Sequence, residues 1–94
     1  MVPPMIAPSI PRVALVTGGA RRIGRAIVEA LAAEGFAVAI HCQASRAEAA
    51  ELAGAIVARG GRACVLAAEL GREDEVARLV PAAEAALGRL GVLV

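Results

Sequence analysis

The sequence contains no lysine, tyrosine or tryptophan, and Phe36 is its single aromatic residue. Aromatic side chains provide the stacking platforms of most proteins that bind single-stranded nucleic acids, and a net charge of +1 gives no basic surface for a duplex or a membrane. Neither partner is therefore expected. At 59% hydrophobic residues the chain is too apolar to be disordered. Its core must be built from alanine, valine, leucine and isoleucine.

Residues for metal sites and disulfides are also scarce. Cys42 and Cys64 lie far apart without a C-x-x-C motif, and His41 is the only histidine. We therefore predict no metal site and two reduced thiols in a cytoplasmic protein. No apolar run approaches about 18 residues, so no membrane span is predicted. Residues 1–11 hold four of the five prolines and lack the basic start of a signal peptide, so they are interpreted as a flexible arm.

Residues 12–94 alternate between short apolar runs and amphipathic segments. This pattern predicts strands at residues 13–16, 37–41, 63–67 and 91–94, with a helix in each interval. Short loops and right-handed crossovers then give an α/β fold with a Rossmann-type parallel sheet, strand order 3-2-1-4, that stops after the fourth strand.

Local signals add detail to the helices. The first helix has a predicted buried stripe of Ile23, Ala26, Ile27, Ala30 and Leu31. Ser45 and Glu48 have the spacing of a capping box at the start of the second helix. Pro81 removes a helical hydrogen bond, so a kink or a break is expected in the third helix.

The loop from Thr17 to Gly24 joins the first strand to the first helix. Glycines such as Gly18 allow the backbone to approach a pyrophosphate, towards which the helix N-terminal N–H groups point. Gly24 also permits close packing of the helix. Arg21 and Arg22 oppose the helix dipole by about 0.3–1 kcal/mol each, which an anionic ligand would offset. A solvated surface pair is the alternative.

The end of the second strand indicates which dinucleotide is bound. An NAD site has an acidic residue there for the ribose 2′-hydroxyl, but no acid occurs between His41 and Glu48. Gln43, Ser45 and Arg46 are candidate donors to a 2′-phosphate. Three residues of this stretch also have a purely structural interpretation. Ser45 could serve only as the helix cap, and Arg46 could be a solvated side chain. His41 could end a buried strand with a hydrogen-bonded ring.

These residues resemble the short-chain dehydrogenases/reductases over residues 13–94. The family signature T-G-x-x-x-G-x-G falls on residues 17–24, with Arg22 in place of the middle glycine, as in the pteridine reductases. The resemblance implies an NADPH site of Arg22, Ile23, His41, Gln43 and Ser45, with Thr17, Gly18 and Gly24 in the signature. It also implies that the backbone of Ala68 and Leu70, with Glu69 in place of the family's aspartate, lies near the adenine.

The resemblance further implies an oxidoreductase that transfers hydride from NADPH to a C=O or C=N bond, a pteridine among the substrates. The family's catalytic asparagine, serine and Tyr-x-x-x-Lys group would follow Val94, so this chain contains no catalytic residue and should be inactive alone. We expect the intact parent to be a homo-oligomer and the chain to self-associate. Alternatives are a non-catalytic nucleotide-binding remnant and, less favoured without an acid after the second strand, an S-adenosylmethionine-binding Rossmann half.

Overall fold

The computed structural model of the protein describes residues 10–94, so most of the predicted arm lies outside the described residues. The alternating order of strands and helices is confirmed. The elements are β1 (Val13–Val16), α1 (Arg22–Ala33), β2 (Ala37–Cys42), α2 (Arg46–Ala58), β3 (Ala63–Ala67), α3 (Glu73–Leu87) and β4 (Val92–Leu93). No helix in this part of the chain has both the length and the apolar character needed to cross a membrane.

The four strands form one parallel sheet in the order β3-β2-β1-β4, as the sequence predicts. Val13 pairs with Ala37, and Val38 pairs with Ala63. Every residue of β1 and β2 is buried, because helices cover both faces of these two central strands. All four carboxyl ends therefore meet at the same edge of the sheet.

Alternating side chains of the strands enter two separate cores. On one face, Val16 and Ile40 pack with Val28 of α1 and with Leu52 and Ile56 of α2. On the opposite face, the buried side chains come from the other strand positions and from α3, namely Val13, Leu15, Ala37, Ala39, Leu79, Ala83 and Leu87. The helices thus form a layer on each side of the sheet, α1 and α2 on one and α3 on the other.

The predicted stripe of α1 is confirmed only in part: Ile27 and Leu31 pack against the core as partly buried side chains, but the other three members do not. Val28 is the buried residue of the helix, whereas Ile23 is 78% exposed and Ala26 and Ala30 are also exposed. The physical reason is the approach of Val28 to Gly19: a Cβ atom at Gly19 would lie 3.0 Å from Val28 Cγ2. This contact rotates the helix, and the small alanines do not oppose the rotation.

The structure also bears on two predictions about the other helices. The predicted capping box is not formed: Ser45 occupies the N-cap position of α2 but makes no side-chain capping bond, and Glu48 pairs with Arg21. The α3 helix runs through Pro81 without breaking into two pieces. Pro81 and Ala77 are both exposed, so water can bond to the carbonyl that the proline ring leaves without a donor.

Candidate functional site

The carboxyl edge of the sheet brings together the loops that follow β1, β2 and β3. The loop after β1 (residues 17–21, the glycine loop) faces the turn after β2, and a cavity of about 270 Å³ lies between them. Its walls are Gly18, Ala20, Arg21, His41, Cys42, Gln43, Ala44 and Ser45. No carboxylate is among these lining residues.

Close backbone contacts determine the shape of the glycine loop. Gly18 has a φ of +63°, in the left-handed region that favours glycine. A Cβ atom on Gly24 would overlap the carbonyl oxygen of Gly18 and lie 3.1 Å from the Cα atom of Gly19. The first turn of α1 therefore sits directly on the loop, and only glycine fits at position 24.

The two arginines of the loop differ in position. Arg21 lines the cavity, and its Nε atom lies 3.3 Å from Oε2 of Glu48 in the first turn of α2. Arg22 is exposed, is not one of the lining residues, and has a φ of +55°, the only non-glycine residue with positive φ among those that the structure describes. Arg21 is thus the arginine that the fold brings to the cavity wall.

The N-terminus of α1 offers backbone donors beside this loop. The first helical hydrogen bond runs from the N–H of Arg25 to the carbonyl of Arg21, 3.2 Å long. The N–H groups of Arg22, Ile23 and Gly24 come before that bond and have no partner within the helix. No side chain caps α1, and its first turn contains no acid, whereas the first turns of α2 and α3 do contain acidic residues. This helix end therefore suits an anion.

His41 connects the loops at the centre of the edge. Its side chain is buried, its Nδ1 lies 3.0 Å from the N–H nitrogen of Gly18, and its Nε2 lies 2.8 Å from the carbonyl oxygen of Ala68. An N–H can only donate and a carbonyl can only accept, so Nδ1 accepts and Nε2 carries the hydrogen. Both ring nitrogens are engaged within the protein.

The turn after β2 carries the other candidate donors. Gln43 and Ser45 line the cavity, and Gln43 is exposed while Ser45 is half-buried. Arg46, at the start of α2, is exposed and is not a lining residue. The structure thus brings Arg21, Gln43 and Ser45 to one cavity and leaves Arg22 and Arg46 outside its walls.

The loop after β3 begins next to His41. Ala68 is buried, and its N–H donates to the carbonyl of Cys42 over 3.0 Å. Glu69 is exposed, its N–H donates to Oε1 of Glu75 over 3.3 Å, and Leu70 is 47% exposed. None of the three predicted adenine contacts, Ala68, Glu69 and Leu70, lines the 270 Å³ cavity.

Glu48 is the main site residue that the sequence did not reveal. It was interpreted as part of a capping box, and only the tertiary fold shows that the first turn of α2 lies beside the glycine loop.

Metal chemistry has no support in residues 10–94, which contain no cluster of three histidine, cysteine or acidic side chains. Cys42 and Cys64 are both free, and burial raises the pKa of the Cys64 thiol.

Residues 12–94 match the sequence profile of the short chain dehydrogenases. The chain belongs to the short-chain dehydrogenase/reductase family. The glycine loop, the uncapped start of α1 and the cavity therefore lie in the cofactor-binding part of a short-chain dehydrogenase/reductase, the site that the T-G-x-x-x-G-x-G spacing predicts.

Comparison with individual proteins gives the following similarities. The crystal structure of FolM alternative dihydrofolate reductase 1 from Brucella canis, complexed with NADP, is 49% identical with a TM-score of 0.82, over 86% of this chain and 32% of that one. A blue fluorescent protein from a metagenomic library, in complex with NADPH, is 37% identical with a TM-score of 0.83, over 87% and 34%. Pteridine reductase 1 of Leishmania tarentolae is 51% identical over 53 residues, 56% of this chain and 18% of that one.

The chain spans about a third of the length of the first curated relatives that it matches. The similarity therefore concerns the NAD(P)-binding segment of this family.

Proposed function

We propose that this chain is the NADP(H)-binding segment of a short-chain reductase that transfers hydride from NADPH to a C=O or C=N bond of a pteridine. One observation carries the proposal: the cavity between the glycine loop and the turn after β2 is lined by Arg21 and by no carboxylate. A 2′-phosphate would meet a cation there, and the carboxylate of Glu48, which pairs with Arg21, lies outside the cavity walls. Homologues that bind NADP or NADPH support it.

The residues present fit a phosphorylated dinucleotide. The N–H groups of Arg22, Ile23 and Gly24 would hold the pyrophosphate at the start of α1, since they have no helical partner. Arg21, Gln43 and Ser45 would bind the 2′-phosphate, with the exposed guanidinium groups of Arg22 and Arg46 within the same surface region. Ile23, 78% exposed beside the loop, would cover an apolar part of the ligand. NADPH, when bound, supplies the hydride.

The adenine would lie towards the loop after β3. His41 holds the carbonyl of Ala68, which leaves the exposed Glu69 and Leu70 to contact the ring. The pteridine substrate is supported by two similar proteins, one named a dihydrofolate reductase and one a pteridine reductase. The two free thiols support our proposal of a cytoplasmic location.

Titration of the protein with NADPH and with NADH tests the cofactor proposal. A charge-assisted hydrogen bond contributes about 1.5–3 kcal/mol, so we expect NADPH to bind at least about tenfold more tightly than NADH. The preference should shrink as salt concentration rises, because the contacts to the phosphate are ionic. Equal or tighter binding of NADH would refute the proposal.

A non-catalytic nucleotide-binding protein is the second candidate, favoured by the absence of tyrosine and lysine from the sequence. In either case purified residues 1–94 should reduce no pteridine, quinone or ketone with NADPH, because the proton donor is missing. If the chain does reduce one of these substrates, and a single substitution within it abolishes that turnover, both candidate functions are contradicted. Competition with S-adenosylmethionine tests the third alternative, for which we expect no binding.

A further inference from the structure

We propose that His41 is a positioning residue of the dinucleotide site, which holds the glycine loop and the end of β3 in register without touching the ligand itself. The inference rests on the proposed function. It differs from the expectation that His41 contacts NADPH directly, because the ring has no nitrogen left for a ligand: Nδ1 accepts from Gly18 and Nε2 donates to Ala68.

Three strand ends meet at this one residue. The Gly18 N–H donates to the His41 ring over 3.0 Å, and the Gly19 N–H donates to the His41 carbonyl over 3.0 Å. On the other side the ring donates to the carbonyl of Ala68 over 2.8 Å. Side chain and backbone of His41 therefore connect the loop that would hold the pyrophosphate to the loop that would hold the adenine.

Burial makes this arrangement selective for histidine. His41 is 2% exposed and Ala68 is 7% exposed, so loss of the bond between them leaves the Ala68 carbonyl without water to replace the ring donor. Histidine presents an acceptor at the δ position and a donor at the ε position, about 2.2 Å apart on a rigid ring. An asparagine reaches only as far as the δ position, whereas a glutamine reaches the ε position and cannot serve both loops at once.

This difference in reach provides matched variants. His41→Asn keeps an acceptor for the Gly18 N–H and loses the bond to Ala68. His41→Gln keeps a donor for the Ala68 carbonyl and loses the bond to Gly18. His41→Phe keeps the ring volume and loses both bonds. If the Phe variant does not fold, the two amide variants still test the proposal.

Binding of NADPH and NADH to each folded variant is the first measurement. We expect each of His41→Asn and His41→Gln to weaken both cofactors by about tenfold and by the same factor, since the loops contact parts common to the two. Wild-type affinity in both variants would overturn the proposal. So would a loss confined to NADPH, which would place His41 against the 2′-phosphate.

Two spectroscopic measurements on the ligand-free protein need no cofactor binding. The ¹⁵N shifts of the imidazole should show hydrogen on Nε2 alone, and His41 is the only histidine of the sequence. The Gly18 amide should be protected from hydrogen exchange in wild type and in His41→Asn, and unprotected in His41→Gln. Hydrogen on Nδ1, or protection of Gly18 in His41→Gln, would refute the positioning role.

These readouts separate the two proposals. If wild type shows no preference for NADPH but the Nε2–H tautomer and the Gly18 protection are observed, the cofactor proposal fails and the connection of the loops stands. If wild type prefers NADPH and both amide variants bind it equally well, the positioning role fails and the cofactor proposal stands.

Discussion

The Nε atom of Arg21 lies 3.3 Å from Oε2 of Glu48, so an ion pair joins the glycine loop to the first turn of α2 beside the cavity. Both side chains are at least half exposed, and such pairs contribute about 0–1 kcal/mol to stability. The pair matters more for binding, because Glu48 occupies the one guanidinium that lines the cavity and places a negative charge near the position proposed for the 2′-phosphate.

Replacing Glu48 by glutamine should therefore tighten NADPH binding by about two- to fivefold, equivalent to up to about 1 kcal/mol, and leave NADH unchanged. Isothermal titration at low salt measures both affinities. Glu29→Gln is the matched control, because Glu29 pairs with Arg25 within α1 and lies outside the cavity walls. Weaker NADPH binding in Glu48→Gln would show that the carboxylate helps to position Arg21.

Replacing Arg22 by glycine should stabilise the fold and weaken the binding of NADPH. Its φ of +55° is strained for any residue with a side chain, so Arg22→Gly should raise the free energy of unfolding by about 0.5–1 kcal/mol. The lost guanidinium should weaken NADPH binding by about 1.5–3 kcal/mol and spare NADH. Thermal melts and titrations measure the two effects.

Arg22→Ala separates the two effects, because it removes the guanidinium and keeps the strain. It should lose the same NADPH affinity as Arg22→Gly without the gain in stability. An equal loss for NADPH and NADH would place Arg22 against the pyrophosphate or in the fold. An unchanged NADPH affinity would assign the 2′-phosphate to Arg21 alone.

Gly24→Ala should damage fold and site together. The new Cβ would overlap the Gly18 carbonyl, a backbone group that cannot move without shifting the loop, and overpacking of this kind costs about 1–3 kcal/mol. Gly54→Ala is the control: Gly54 lies within α2 with nothing within 4 Å of an added Cβ, so it should gain about 0.5–1 kcal/mol. Chemical denaturation measures both, and similar stability of the two variants would contradict this account of Gly24.

The order of elements and the sheet topology followed from the sequence because β1 and β2 are continuous apolar runs and glycines end the helices. Gly35, for example, has a φ of +89° directly after α1. The buried face of α1 followed only in part: Ile27 and Leu31 pack against the core as predicted, but the sequence did not reveal Val28 as the buried residue. Alanines lie on several sides of this helix, so its exact rotation depends on the contact of Val28 with Gly19. Helical periodicity carries no information about that tertiary contact.

The parts of the site that backbone geometry determines could be predicted from the sequence. The parts that depend on contacts between side chains distant in sequence were predicted less well. The spacing from Thr17 to Gly24 placed the loop correctly between β1 and α1. The spacing of Ser45 and Glu48 suggested a local cap, yet Glu48 bonds to Arg21, a residue distant in sequence. The two bonds of the His41 ring likewise depend on how three strands align, which no single motif encodes.

Self-association of the 94-residue chain is expected from β4. This strand pairs only with β1 in the described sheet, Leu93 is 60% exposed and Val94 is 45% exposed. An apolar edge strand without charge or proline is a template for pairing with another chain. Leu93→Lys should reduce the association, as measured by light scattering. A monodisperse wild-type monomer with a sharp cooperative melt would show this argument wrong.

The hydrogen bonds from the amides of Gly18 and Gly19 to His41 hold the glycine loop by contacts within the protein itself. Its backbone loses conformational entropy during folding, so association with a dinucleotide does not bear that cost again. Binding should then proceed with little structural rearrangement and at a rate close to that of simple docking. The proposed recognition of the nucleotide would then belong to the same cooperative unit that holds the sheet together.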